Sequence, residues 1–139
     1  MCAFMESAKS ADRESFYSLH LDNKNRVVGV EEVSRGTINE TTTSPRELFK
    51  SAILSNAASI IVVHNHPAGV PEPSESDLET TKRMVAAGKL LGIPVRDHVI
   101  VGAEGCLSLA IQRPAQAGFS GASSRRRPRQ RPRQARRRT

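Results

Sequence analysis

The sequence has no tryptophan, and four phenylalanines and one tyrosine are its only aromatics among 139 residues. So lean and aliphatic a composition suits a small α/β core but leaves few rings for a base-stacking surface. Long apolar runs are missing too: none exceeds five residues, far short of the ~20 residues that a membrane span needs. Met1–Met5 lacks a basic segment leading into an apolar one, so no Sec signal and no membrane association are expected. Cysteine is scarce. Cys2 and Cys106 form no CxxC pair and no disulfide framework, which points to a reduced, cytoplasmic setting.

Acid is absent from one end of the chain. The 21 Lys and Arg against 14 Asp and Glu give a net +7, yet nine of those Arg lie between Arg125 and Arg138 with no acid among them. Residues 1–113 therefore hold 12 basic and 14 acidic groups, a net of −2. The basic character belongs to a tail, and the body is not a basic nucleic-acid binder. Residues 125–139 offer charge without an aromatic, which suits a polyanion such as nucleic acid, held without sequence choice and strongly dependent on salt. An unselected, disordered extension is the plain alternative.

What is present is an alternation of strand and helix signals. Residues 15–22 alternate, with Tyr17, Leu19 and Leu21 expected inward and Phe16, Ser18 and His20 on the polar side. A turn at 23–25 and a returning strand at 26–33 complete a hairpin, and the Thr-rich stretch 36–43 reads as a third strand. Ser44-Pro45-Arg46-Glu47 is a helix start with Ser44 as cap and Glu47 completing a capping box. Residues 59–63 are a buried central strand, stopped at His64-Asn65-His66-Pro67. A second helix opens at Ser74 and stops at Gly92. Strands at 95–101 and 106–111 end the body. The expected fold is a single-domain α/β protein with a mixed sheet flanked by helices: residues 1–13 are an N-terminal extension, 14–113 the domain and 114–139 a disordered Arg-rich tail.

The chemistry-bearing constellation is His64-x-His66-Pro67 followed by Ser74-x-x-Asp77. Histidines at i and i+2 of a strand share a face, and a short Gly/Pro loop folds Asp77 back toward them. Two imidazoles, one carboxylate and an open position for water make the ligand pattern of catalytic zinc. The plain readings stand beside it. A His-x-His pair at a strand end often does no more than meet solvent, Ser74 caps its helix whatever else it does, and Asp77 suits a helix first turn. Asp97-His98 is either a pair that orients a ligand or a structural histidine with its hydrogen bond.

Taken together, the motif resembles the JAMM (JAB/MPN) metallopeptidase motif, and within it the RadC-like branch. The resemblance runs from about Glu14 to Ile111, on Gly36-Thr37-Ile38, Pro45-Arg46-Glu47, His64–Pro67 with Gly69, Pro73-Ser74-x-x-Asp77 and Asp97-His98. Ala68 stands where the branch usually has Ser, and the helical N-terminal region of full-length RadC proteins is lacking, as expected of a stand-alone domain. The resemblance implies a cytidine-deaminase-like JAB1/MPN fold and a Zn2+ held by His64, His66 and Asp77. It further implies Glu14 as general base, with Glu47 as its rival, and Ser74 as a donor to the oxyanion. The activity implied is hydrolysis of a peptide or isopeptide bond in a peptide or protein substrate. The competing expectation is a DNA-repair-associated accessory protein that contacts nucleic acid through its tail.

Overall fold

The computed structural model describes residues 14–36, 44–66 and 70–119. Strands β1 (Glu14–Leu21) and β2 (Val27–Gly36) form a hairpin whose turn is held by Asp22, which accepts the Lys24 and Arg26 amide hydrogens at 2.9 Å each. Helix α1 (Pro45–Leu54), strand β3 (Ser59–His66), helix α2 (Glu75–Leu91), strands β4 (Val95–Gly102) and β5 (Gly105–Ser108) and the short helix α3 (Leu109–Gln112) follow. The strands lie side by side in the order β2-β1-β3-β4-β5, with β3 parallel to β4 and every other pair antiparallel. A parallel pair needs a long crossover, and α2 supplies it.

Local chemistry fixes the helix ends. At the start of α1, Ser44 accepts the Arg46 N–H at 3.1 Å, the bond of a simple N-cap in place of the expected box with Glu47. At the start of α2 the box is formed instead by Ser74 and Asp77. Its far end closes on Gly92, whose φ of +70° is the left-handed region that favours glycine. One turn earlier the helix packs tightly onto the following chain: a Cβ on Gly88 would stand 2.6 Å from the Ile93 carbonyl oxygen.

Both helices lie on one face of the sheet. Phe16, Ile60, Val62 and Val95 of the strands pack there against Leu48, Phe49 and Ala52 of α1 and Met84 and Val85 of α2. Leu19, Val63 and Val101 form a second, smaller cluster with Tyr17, Ile61 and Val99. This corrects the expected facing of β1. Both faces of β1 are covered: Phe16, Ser18 and His20 are buried as well as Leu19 and Leu21. Two further expectations change. The last strand ends at Ser108, where the chain turns into α3. Packing also continues past residue 113, because Ala117 is fully buried in a third cluster with Ile100 and Leu109. The strand expected at 36–43 begins where β2 ends, and its residues 37–43 lie outside the described residues, as do 1–13 and 120–139.

His20 was expected to be solvated and is instead 3% exposed, with Ser55 Oγ 2.9 Å from its Nδ1. Burial holds its pKa below the ordinary 6.5, against the raising influence of the Glu31 carboxylate. The sign follows from linkage. The folded chain binds fewer protons at this ring than the unfolded chain, so its stabilising contribution is full above 6.5 and is lost as the pH falls through the lower folded value. Between pH 7.5 and 5, His20→Gln is therefore expected to lose less melting temperature than the wild type; equal losses would show that His20 does not supply this acid sensitivity.

Candidate metal centre

The aliphatic run of β3 ends in His64-Asn65-His66, and alternation along the strand puts both imidazoles on one face. On one side of β3, β1 runs antiparallel with Phe16 opposite His64, which brings the beginning of β1 to the end of β3. Asn65 secures the junction by accepting the Ser15 N–H at 2.6 Å on its Oδ1. Glu14, fifty residues before His64, thereby has its Oε1 in hydrogen-bond contact with His64 Nε2. The crossover α2 delivers the third side. Its first turn carries Asp77, with Oδ2 3.2 Å from His66 Nε2 and Oδ1 3.5 Å from His64 Nδ1.

Glu14, His64, His66 and Asp77 each offer a ligand atom, and these atoms all lie within 4.8 Å of one another. His64 is wholly buried, stacked on Phe16 with ring centroids 4.2 Å apart and set edge-on to His66 at 4.7 Å. Burial lowers its pKa against the pull of Asp77 and Glu14, so its ring stays neutral. His66 is shifted the other way, chiefly by its hydrogen bond to Asp77. For Asp77, burial alone would raise the pKa. The bonds from His66 and from the Ser74 N–H, with the nearby imidazoles, outweigh burial and hold it below the ordinary carboxylate value. The set thus offers an ionised carboxylate and a neutral imidazole, the forms in which these groups bind a metal. His64 Nδ1 is buried with no hydrogen-bond partner, as a nitrogen reserved for a cation would be. The donor set fits zinc, which takes His nitrogen and carboxylate oxygen.

The other predicted residues fall around this group. Ser74 is exposed at the start of α2, and its Oγ accepts the Asp77 N–H at 3.1 Å while Asp77 Oδ2 accepts the Ser74 N–H at 2.9 Å. Glu47 stands apart, lining a cleft of about 500 Å³ with His20, Glu31 and Lys50 between β2 and α1. Asp97 does not reach the histidines: its carboxylate accepts from the His98 N–H, the Ser108 hydroxyl and the Ala110 N–H, bracing β4 against β5 and α3. His98 does lie close by, with its ring centroid 6.0 Å from that of His64, and burial lowers its pKa to about 3. Sequence reading missed Thr81, whose hydroxyl bonds both the Asp77 carbonyl and the His98 ring. Its signal was available, since a residue four after Asp77 shares its face of the helix.

Among the described residues no helix is long and apolar enough to cross a membrane. Comparison with protein families matches residues 1–114 to the RadC-like JAB domain. Among curated proteins, the chain is 50% identical over 108 residues to a "UPF0758 protein" of Desulforudis audaxviator, covering 78% of this chain and 47% of that one. It is 51% identical over 106 residues to a "UPF0758 protein" of Finegoldia magna, covering 76% and 48%. A third "UPF0758 protein", from Methanosarcina acetivorans, is 50% identical over 90 residues, covering 65% of this chain and 39% of the relative. The chain thus spans about half the length, or less, of these relatives.

Proposed function

The chain belongs to the RadC-like JAB domain family, and on that premise we propose that it is a zinc-dependent hydrolase cleaving a peptide or isopeptide bond. The observation that carries this reading is the convergence of Glu14, His64, His66 and Asp77 from three separate elements onto one point. His64, His66 and Asp77 would hold the zinc. When bound, zinc polarises a scissile carbonyl and makes water acidic enough to lose a proton near neutral pH.

The remaining steps fall to the chain's own groups. Glu14 takes the proton of the attacking water as the C–O bond forms. It returns that proton to the departing nitrogen as the C–N bond breaks, so one carboxylate serves as base and then as acid. Ser74 accepts the Asp77 amide with its oxygen, which leaves the hydroxyl proton for the oxyanion. The N-terminus of the 17-residue α2 favours negative charge at the same place. Phe16, stacked on His64, keeps one side of the group dry. The free thiol of Cys106 fits the reducing cytoplasm, where we place the reaction.

Elemental analysis of the purified protein tests the reading. About one zinc per chain is expected in the wild type and nearly none in His66→Ala. No zinc in either, even after reconstitution, would sink it. A second reading is favoured by one specific feature, the nine Arg and no acid of residues 125–139. In that reading the chain is a DNA-repair-associated accessory protein whose tail holds nucleic acid by charge alone, with affinity falling steeply as salt rises. Under it, removing residues 120–139 abolishes function and Glu14→Gln is silent; under the hydrolase reading the reverse holds.

A further inference from the structure

We propose that His98 is a positioning residue that fixes Asp77 against His64 and His66 through the hydroxyl of Thr81. The inference rests on the metal reading above and adds a residue to it.

Asp77 has a difficult task. It sits in the first turn of a helix, just after a loop, yet its carboxylate must meet two imidazoles carried by the sheet. The capping box does not solve this, because Ser74 belongs to the same turn and moves with it. A tie to the sheet is needed, and Thr81 makes one. Its Oγ1 lies 2.6 Å from the Asp77 carbonyl oxygen and 2.6 Å from His98 Nδ1. A hydroxyl has one proton. Given to the Asp77 carbonyl, it leaves the Thr81 oxygen only as an acceptor, so His98 must donate from Nδ1. The geometry therefore assigns His98 to the Nδ1–H tautomer.

His98 is itself held firmly. It is fully buried on β4, its Cα paired with Val62 of β3, two residues before His64. Its ring centroid lies 5.7 Å from that of Phe16, the residue stacked on His64. The strand that carries the two histidines thus fixes β4, His98 fixes Thr81, and Thr81 fixes the backbone of Asp77. Hydrogen-bond partners behind metal ligands commonly set ligand orientation, and their loss weakens binding by about 10–100-fold. Here the partner acts on the ligand's backbone rather than on its carboxylate.

Two measurements on the full chain test this. Long-range proton–nitrogen NMR of the metal-free protein is expected to show His98 protonated at Nδ1 and not at Nε2. Zinc competition against a chromophoric chelator is expected to show Thr81→Val about 10–100-fold weaker and Thr81→Ser, which keeps the hydroxyl, near wild type. The double variant Thr81→Val/His98→Phe replaces both polar partners by apolar groups and so removes the unpaired donor. Its melting temperature is expected to recover relative to Thr81→Val, while its zinc affinity stays low and its Co2+ absorption spectrum stays altered. An Nε2–H tautomer would overturn the proposal. So would a double variant whose zinc affinity recovers together with its stability, since His98 would then act on packing alone. A wild type that binds no zinc would instead defeat the metal reading. In that case the tautomer still decides the tie, Nδ1–H upholding it and Nε2–H overturning it.

Discussion

Glu14→Gln is expected to lower the rate of peptide-bond hydrolysis by about 10²–10⁴-fold while the zinc content of the chain stays at the wild-type level. The glutamine keeps the size of the side chain and its place beside His64, but its amide cannot take a proton from water or return one to an amine. The three groups assigned to the metal, His64, His66 and Asp77, are untouched, and Asp77 alone keeps contact with both imidazoles. A paired measurement checks the expectation: kcat/KM on a cleavable peptide, and zinc per chain on the same preparation. Glu47→Gln is the matched control. Glu47 lines the separate cleft beside His20, so its variant should cleave at the wild-type rate. If Glu47→Gln lost the activity and Glu14→Gln kept it, the general-base assignment would be reversed. If Glu14→Gln lost zinc and activity together, Glu14 would be a ligand rather than a base.

How Glu14 reaches the site also shows how much of the fold was legible. The strand was plain over 59–63 from its β-branched run, though it runs on to His66, and the helix at 75–91 was plain from its cap, its acids and Gly92. Those two elements carry His64, His66 and Asp77, so local pattern sufficed for three members of the group. Glu14 comes from fifty residues upstream, and only the antiparallel pairing of β1 with β3, Phe16 opposite His64, brings it in. Pairing between distant strands leaves no local trace; the family resemblance supplied this residue where periodicity did not. The misread face of β1 has the same origin. Alternation identifies two faces but not which is covered, and along β1 residues of both are buried. His20 was therefore placed in solvent although α1 lies over it. Thr81 escaped for a different reason. Its spacing from Asp77 was legible, but what its hydroxyl holds is decided by His98 on β4, which no spacing along the helix reveals.

Asp77 does two jobs at once, and substitutions can separate them. Its Oδ2 accepts the Ser74 N–H in the capping box, and its two oxygens face His64 and His66. Asp77→Asn keeps an oxygen for the Ser74 N–H but removes the negative charge that a zinc ligand set of two neutral imidazoles needs. Zinc affinity is therefore expected to fall by more than about 100-fold, beyond the loss that follows from removing a ligand's hydrogen-bond partner. The metal-free melting temperature should fall by less than in Asp77→Ala, since the cap's oxygen stays and only the attraction of the ionised carboxylate for His66 and the helix start is lost. Asp77→Ala gives up both jobs: zinc affinity falls at least as far, and the metal-free chain loses about 1 kcal/mol with the cap, or roughly 4 °C for a folded body of this size. Ser74→Ala completes the set, with a similar loss of stability and zinc affinity near wild type. Chelator competition and thermal melting of the three variants read the two jobs on two axes. The outcome that would defeat the assignment is an Asp77→Asn chain holding zinc as tightly as the wild type. The carboxylate would then be only a helix cap, and the third ligand would have to be Glu14, the other acid within 4.8 Å of both histidines.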